Sequence, residues 1–119
     1  EIGERWQIGP AGAGALVEVT APRTPCRTFQ ERMAEPRWVK RFTLRNAPGA
    51  YLRVLELGGI AAGDEVRVVH RPGHGVRIGD VTARATPDTM RRLLEAADRL
   101  DLTLAPSLRR AAVKVGKRA

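Results

Sequence analysis

One cysteine stands among the 119 residues, in the run Arg23-Thr24-Pro25-Cys26-Arg27. A cysteine thiolate is both a nucleophile and a soft metal ligand, and positive charge beside the sulfur lowers the thiol pKa. Arg23 and Arg27 place such charge on either side of Cys26. A lone cysteine also serves as a small buried hydrophobe with no chemistry, and the local residues leave both readings open. His70 and His74 are four apart, but Pro72-Gly73 between them breaks any helix that would bring the rings to one face. With no second cysteine to complete a ligand set, a hairpin loop is expected there instead of a metal site. Gly73-His74-Gly75 lacks the Lys-Ser/Thr and the following helix of a phosphate-binding glycine loop.

The elements that must position Cys26 follow from hydrophobic periodicity. Arg5 to Ile8 alternates as a short strand, and Ala15 to Thr20 alternates again with Ala15, Val17 and Val19 on one face. A hairpin is expected, joined by the glycine-rich loop 9–14, with its register open. After Cys26 the spacing of Phe29, Met33, Trp38, Val39 and Phe42 predicts two short helices separated near Pro36, a residue suited to the first turn of the second. Arg27, Arg32, Arg37, Lys40, Arg41 and Arg45 then form either a solvated helix face or a positive rim near Cys26 for a phosphate-bearing ligand. Tyr51 to Leu57 is nearly continuous in apolar residues and reads as a central strand. Arg53 within it either faces outward or lies at the floor of a site. Strands are expected at 65–70 and 76–81. From Thr86 the period becomes helical: Thr86 or Asp88 caps a helix carrying Met90, Leu93, Leu94, Ala97 and Leu100, and Leu108, Ala111, Ala112 and Val115 mark a second.

The order of these pieces carries a resemblance. Arg23-Thr24-Pro25-Cys26 after the strand 15–20, followed by Pro48-Gly49-Ala50-Tyr51-Leu52-Arg53-Val54-Leu55 and Ala62-Gly63-Asp64-Glu65-Val66, resembles the MOSC domain, named for the C-terminus of molybdenum cofactor sulfurase. Ile2-Gly3-Glu4-Arg5-Trp6-Gln7-Ile8-Gly9 is similar to the segment preceding the cysteine strand in that family, so the likeness spans about residues 2 to 82. The tail resembles the helical extension of stand-alone bacterial members. The resemblance implies a mainly β, MOSC-type β-barrel with short helices after the cysteine strand, in residues 1–85, and a helical pair in 86–119. It also implies that an N-terminal part of the domain is missing, so that another segment or a second chain completes the barrel.

In function, the resemblance implies the molybdenum cofactor (molybdopterin), with Cys26 as catalytic residue and metal ligand. Arg23 and Pro25 belong to the matched motif, Arg53 lies in the matched strand, and Arg27 adds charge toward a cofactor phosphate. The implied activity is reduction of N-hydroxylated compounds with an electron-donor protein as partner. An alternative is a sulfur carrier holding a persulfide on Cys26, supplied by a desulfurase. The pyridoxal phosphate of the wider sulfurase family belongs to a separate domain with no counterpart here.

Composition sets limits. Lys and Arg outnumber Asp and Glu by 21 to 13, for a net charge of +8, and only Lys40, Lys114 and Lys117 among the basic residues are lysine. That balance suits an anionic partner or reflects coding bias, which leaves a third reading, a non-enzymatic basic module. Five basic residues and no acid lie between Arg109 and Arg118, where a frayed, solvated terminus is expected. With five aromatic residues in all, stacking on single-stranded nucleic acid is disfavoured. No apolar run reaches the roughly 18–20 residues of a membrane span. One cysteine cannot form an internal disulfide, and a cytoplasmic setting is expected.

Overall fold

The structure is a computed structural model and describes residues 1–118. β1 (Arg5–Ile8) and β2 (Ala15–Arg23) form the expected antiparallel hairpin, with Ile8 opposite Ala15 and Arg5 opposite Glu18. In the connecting loop the N–H groups of Ala13 and Gly14 both donate to the Pro10 carbonyl, at 3.1 and 2.7 Å. A Cβ on Gly14 would collide with the Ile8 carbonyl, so close backbone approach, and not only flexibility, requires glycine there.

β2 runs past Thr20 to Arg23 and pairs on its other side with β3 (Gly49–Glu56), placing Glu18 opposite Arg53 and Arg23 opposite Gly49. Pro22 lies beyond the residues that β1 pairs, where one side of the ladder is open and a proline is tolerated. β4 (Val66–His70) pairs with β1, giving the order β3-β2-β1-β4 in an open antiparallel sheet. The expected barrel is thus present as an open sheet, not closed on itself. The expectation of a central place for Tyr51 to Leu57 is corrected: β3 is an outer strand with Tyr51 and Val54 about half exposed. A continuous apolar run signals a demand for burial on both faces, but says nothing of where in the sheet order the strand lies.

Glu18 is the unexpected member of the sheet. Its side chain is 5% exposed, and its two oxygens accept from Arg5 Nε at 2.9 Å and Arg53 Nη2 at 2.8 Å. One buried carboxylate on β2 thus ties together β1 and β3 from either side. The guanidiniums reach it from partly solvated positions, so only the carboxylate is fully desolvated, and the two charge-assisted bonds offset that cost.

The helices after the strand are α1 (Arg27–Met33) and α2 (Trp38–Arg45). Pro36 precedes α2 in the turn and is not in its first turn as expected, because Arg37 takes the N-cap position with a left-handed backbone, φ 58°. Phe29 meets Trp38 and Phe42 edge-on, with centroids 5.5 and 5.2 Å apart. These contacts hold together two helices too short to be stable alone. Asn46 caps α2, donates to the Gly79 carbonyl at 3.1 Å and accepts from the Thr82 hydroxyl at 2.7 Å. The expected strand at 76–81 is instead a buried Val76 followed by a 3₁₀ turn, Ile78–Val81. The Asp80 carboxylate accepts from the Arg77 N–H at 2.9 Å, a local bond that competes with sheet pairing.

α3 (Pro87–Leu100) starts at Thr86, whose hydroxyl accepts from the Thr89 N–H at 3.2 Å. α4 (Pro106–Gly116) packs against it, and Arg91 Nη1 donates to the Gly116 carbonyl at 2.9 Å. The basic tail is therefore helical through Gly116 and not frayed from Arg109. Met90, Leu93 and Ala97 of α3 and Leu108 and Ala112 of α4 share one buried cluster with Ile2, Val19, Ala21, Val76 and Val81. Leu94 packs at its margin, whereas Leu100 is 40% exposed.

Two stability outcomes follow. Leu93 is 0% exposed, so Leu93→Ala is expected to cost about 2–5 kcal/mol, with tryptophan fluorescence and helical circular dichroism lost in one urea transition. For Glu18, Arg5→Met and Arg53→Met each leave one guanidinium on the carboxylate. The double variant strands it, and its cost is expected to exceed the sum of the singles by about 1–3 kcal/mol in the same titration.

Candidate functional site

Cys26 is the N-cap residue of α1, in an extended conformation (φ −135°, ψ 174°), and its free thiol is half-buried. The strand β2 fixes where the turn begins, Pro25 stiffens it, and the first turn of α1 presents its unpaired N–H groups toward the sulfur. The thiol makes no fully formed capping bond. Its pKa is nonetheless held below the ordinary thiol range, chiefly by the Phe29 N–H. Partial burial opposes this, while a hydrogen bond and charge from Arg23 and the Thr28 N–H add to it. Arg23 Nη2 lies 3.9 Å from Sγ, Nη1 donates to the Thr24 carbonyl at 3.3 Å, and the guanidinium lies over the Tyr51 ring, 5.6 Å from its centroid. A cation held by a ring face and a carbonyl is set in place before any ligand arrives.

The other expected site residues are dispersed. Arg27 points along α1 to Glu31, at 3.1 Å, with its side chain 91% exposed. Arg53 is on β3 and engages Glu18. Pro25 lines two cavities: one of 480 Å3 with Arg23, Thr28, Phe29, Arg32 and Phe42, and one of 150 Å3 with Phe42, Asn46 and Thr82. A further cavity of 610 Å3 lies between Tyr51 and Arg53 on β3 and the Thr103–Ser107 segment before and into α4. Sequence reasoning missed Tyr51 and Glu18. Tyr51, two residues before Arg53 on one strand, was within reach of the alternation rule; no sequence signal marked Glu18 as buried.

His74 is occupied by structure. Nδ1 accepts from the Val76 N–H at 2.9 Å, which leaves Nε2 protonated to donate to the Ile2 carbonyl at 2.6 Å. The ring thereby closes loop 71–75 onto the N-terminal segment. Among the described residues no three His, Cys, Asp or Glu side chains gather as a metal site.

The family model of the MOSC domain matches residues 1–67. The chain belongs to the MOSC domain family. A protein of Gibberella moniliformis (strain M3125 / FGSC 7600) named "Reductase" is 35% identical over 71 residues, which cover 60% of this chain and 12% of that protein. The crystal structure of YiiM from Geobacillus stearothermophilus is similar with a TM-score of 0.77 and 24% identity, covering 95% of this chain and 56% of that one. YiiM from Escherichia coli gives a TM-score of 0.75 at 21% identity, covering 95% and 54%. The MOSC chain thus spans little more than half the length of these structures and about an eighth of the reductase. No helix among the described residues is long and apolar enough to cross a membrane.

MOSC domains are associated with the molybdenum cofactor, and the donor set can be tested against it. A metal held by protein side chains alone needs several ligands, which are absent around Cys26 among the described residues. A metal that arrives with dithiolene sulfurs needs one soft donor more. A half-buried thiol with a lowered pKa fits that requirement.

Reactivity of Cys26 tests this electrostatic arrangement. The thiolate is the reactive form, so a lowered pKa keeps alkylation fast to lower pH. The midpoint of the iodoacetamide rate against pH is expected below that of a free thiol. Arg23→Gln is expected to move the midpoint upward, with α1 intact by circular dichroism.

Proposed function

We propose that this MOSC domain binds the molybdenum cofactor through Cys26 and supports two-electron reduction of N-hydroxylated compounds. The observation that carries the reading is the half-buried sulfur with Arg23 Nη2 at 3.9 Å and the N-terminal amides of α1 beside it. When bound, the cofactor supplies the redox chemistry, for which the stoichiometry is R–NHOH + 2e⁻ + 2H⁺ → R–NH₂ + H₂O. The chain's own residues hold the site: Cys26 is the soft donor, the Phe29 N–H and then Arg23 lower its pKa, and Arg53 lies two residues from Tyr51 on the strand beneath Arg23. Arg27, on the exposed face of α1, adds to the positive field that draws in an anionic cofactor.

In this reading electrons come from a donor outside these residues, such as an electron-donor protein, because one cysteine cannot hold an iron–sulfur cluster. The barrel is completed by a further segment or a second chain against the outer strands, where Val54 on β3 and Val66 and Val68 on β4 stand exposed. A cytoplasmic setting, in which a thiol stays reduced, fits this chemistry. The similarity to the Gibberella moniliformis protein named "Reductase" supports a reductase. The same accessible thiol would also carry a persulfide for sulfur transfer, and the basic surface alone would bind an anionic partner without Cys26.

Elemental analysis of the domain purified from a cofactor-producing host separates these readings. Stoichiometric molybdenum in the wild type, lost in Cys26→Ala, is the expected result. Sulfur released by cyanide from a molybdenum-free protein would replace it with the sulfur carrier. A folded, barrel-complete protein with neither signal would reduce Cys26 to a structural residue.

A further inference from the structure

We propose that the cavity between the end of β2 and the α1–α2 pair binds a small planar organic anion, a carboxylate carried on an aromatic body, and that Arg32 selects its charge. The proposal stands on this cavity and its arginines, and does not rest on molybdenum being bound.

The cavity measures 480 Å3 and is walled by Pro25, Phe29 and Phe42, with Thr28 beside them and Arg23 and Arg32 as its only charged residues. That volume lies within the roughly 300–1,000 Å3 of small-molecule sites, and a largely apolar wall with a few polar groups is their usual chemistry. Phe29 and Phe42 meet edge to face, 5.2 Å between centroids at 78°, so the walls present both a ring edge and a ring face. Flat apolar bodies pack against such surfaces.

The charges point to an anion. Only two carboxylates lie between Arg27 and Arg45, and each is already engaged, Glu31 by Arg27 and Glu35 by Arg41. Arg32 has no ion-pair partner among the described residues. Arg23 engages a sulfur, a carbonyl and a ring, none of which is a carboxylate. Two guanidiniums without a carboxylate therefore line one apolar space, which suits a ligand carrying negative charge.

The test titrates the chain with 2-naphthoate and with its neutral analogue 2-naphthalenemethanol, by calorimetry. Trp38 packs on Phe29 and Phe42, at 5.5 and 5.9 Å, so its quenching in a Trp6→Phe background locates the ligand. Naphthoate is expected to bind about tenfold more tightly than the alcohol, as a charge-assisted bond implies. Arg32→Gln, a change at an exposed position, is expected to remove most of that difference and leave the alcohol within about twofold of wild type. Equal binding of acid and alcohol would overturn the proposal. So would naphthoate binding that Arg32→Gln does not weaken, since that would be adsorption to the exposed sheet.

Discussion

The carboxylate of Glu18, buried between Arg5 and Arg53, is the interaction on which the sheet depends. Strand pairing alone leaves register free to slip, and a slip of one residue would turn every side chain to the other face. A single buried charge with partners on both neighbouring strands is satisfied in one register only. Val17 and Val19, on either side of Glu18 along β2, then face away from it and are themselves buried. Both faces of this strand are therefore occupied, one by a charge network and the other by apolar packing. The arginines remain partly in water, which keeps the cost of burying charge confined to one group.

From that strand the thiol is placed by short-range geometry. β2 ends at Arg23, the Thr24-Pro25 turn spans the gap, and Cys26 opens α1. Arg23 is the last strand residue, and its position opposite Gly49 leaves room for the guanidinium to turn over Tyr51 and toward Sγ. Helix amides and one fixed cation act together on the sulfur, within a few residues of chain. The aromatic contacts among Phe29, Trp38 and Phe42 keep α1 against α2, and Phe29 and Phe42 line the adjoining cavity. A single cluster thus joins the two helices and shapes the cavity beside them.

The helical tail and the sheet share a core. Val19 and Ala21 of β2 lie in the same buried cluster as Leu93 of α3 and Ala112 of α4, with Val76 and Val81 bridging them. The sheet's outer strands contrast with this interior. Val54 on β3 and Val66 and Val69 on β4 are more than half exposed, and an open apolar edge is a surface that proteins ordinarily cover. The molecule measures 46 × 43 × 20 Å, the proportions of a slab.

What the sequence determined by itself is what depends on neighbours along the chain. Alternation marked β1 and β2, helical spacing marked α1 through α4, and the Thr86-Pro87 start of α3 was legible because capping is a matter of three or four consecutive residues. The Arg-Thr-Pro-Cys motif located the thiol and its family for the same reason. Tertiary structure decided what depends on residues far apart. Tyr51 to Leu57 read as central and proved peripheral, because apolar content reports a need for burial and not the order of strands. Residues 76–81 alternated like a strand, yet Asp80 accepted from the Arg77 N–H three residues before it and Asn46 held the turn from a distant helix. Arg53 and Arg27 carried the same expectation of serving Cys26. Their distinct partners, a buried Glu18 across the sheet and Glu31 one helical turn away, were set by the faces on which folding left them, and only the folded chain brings those faces together.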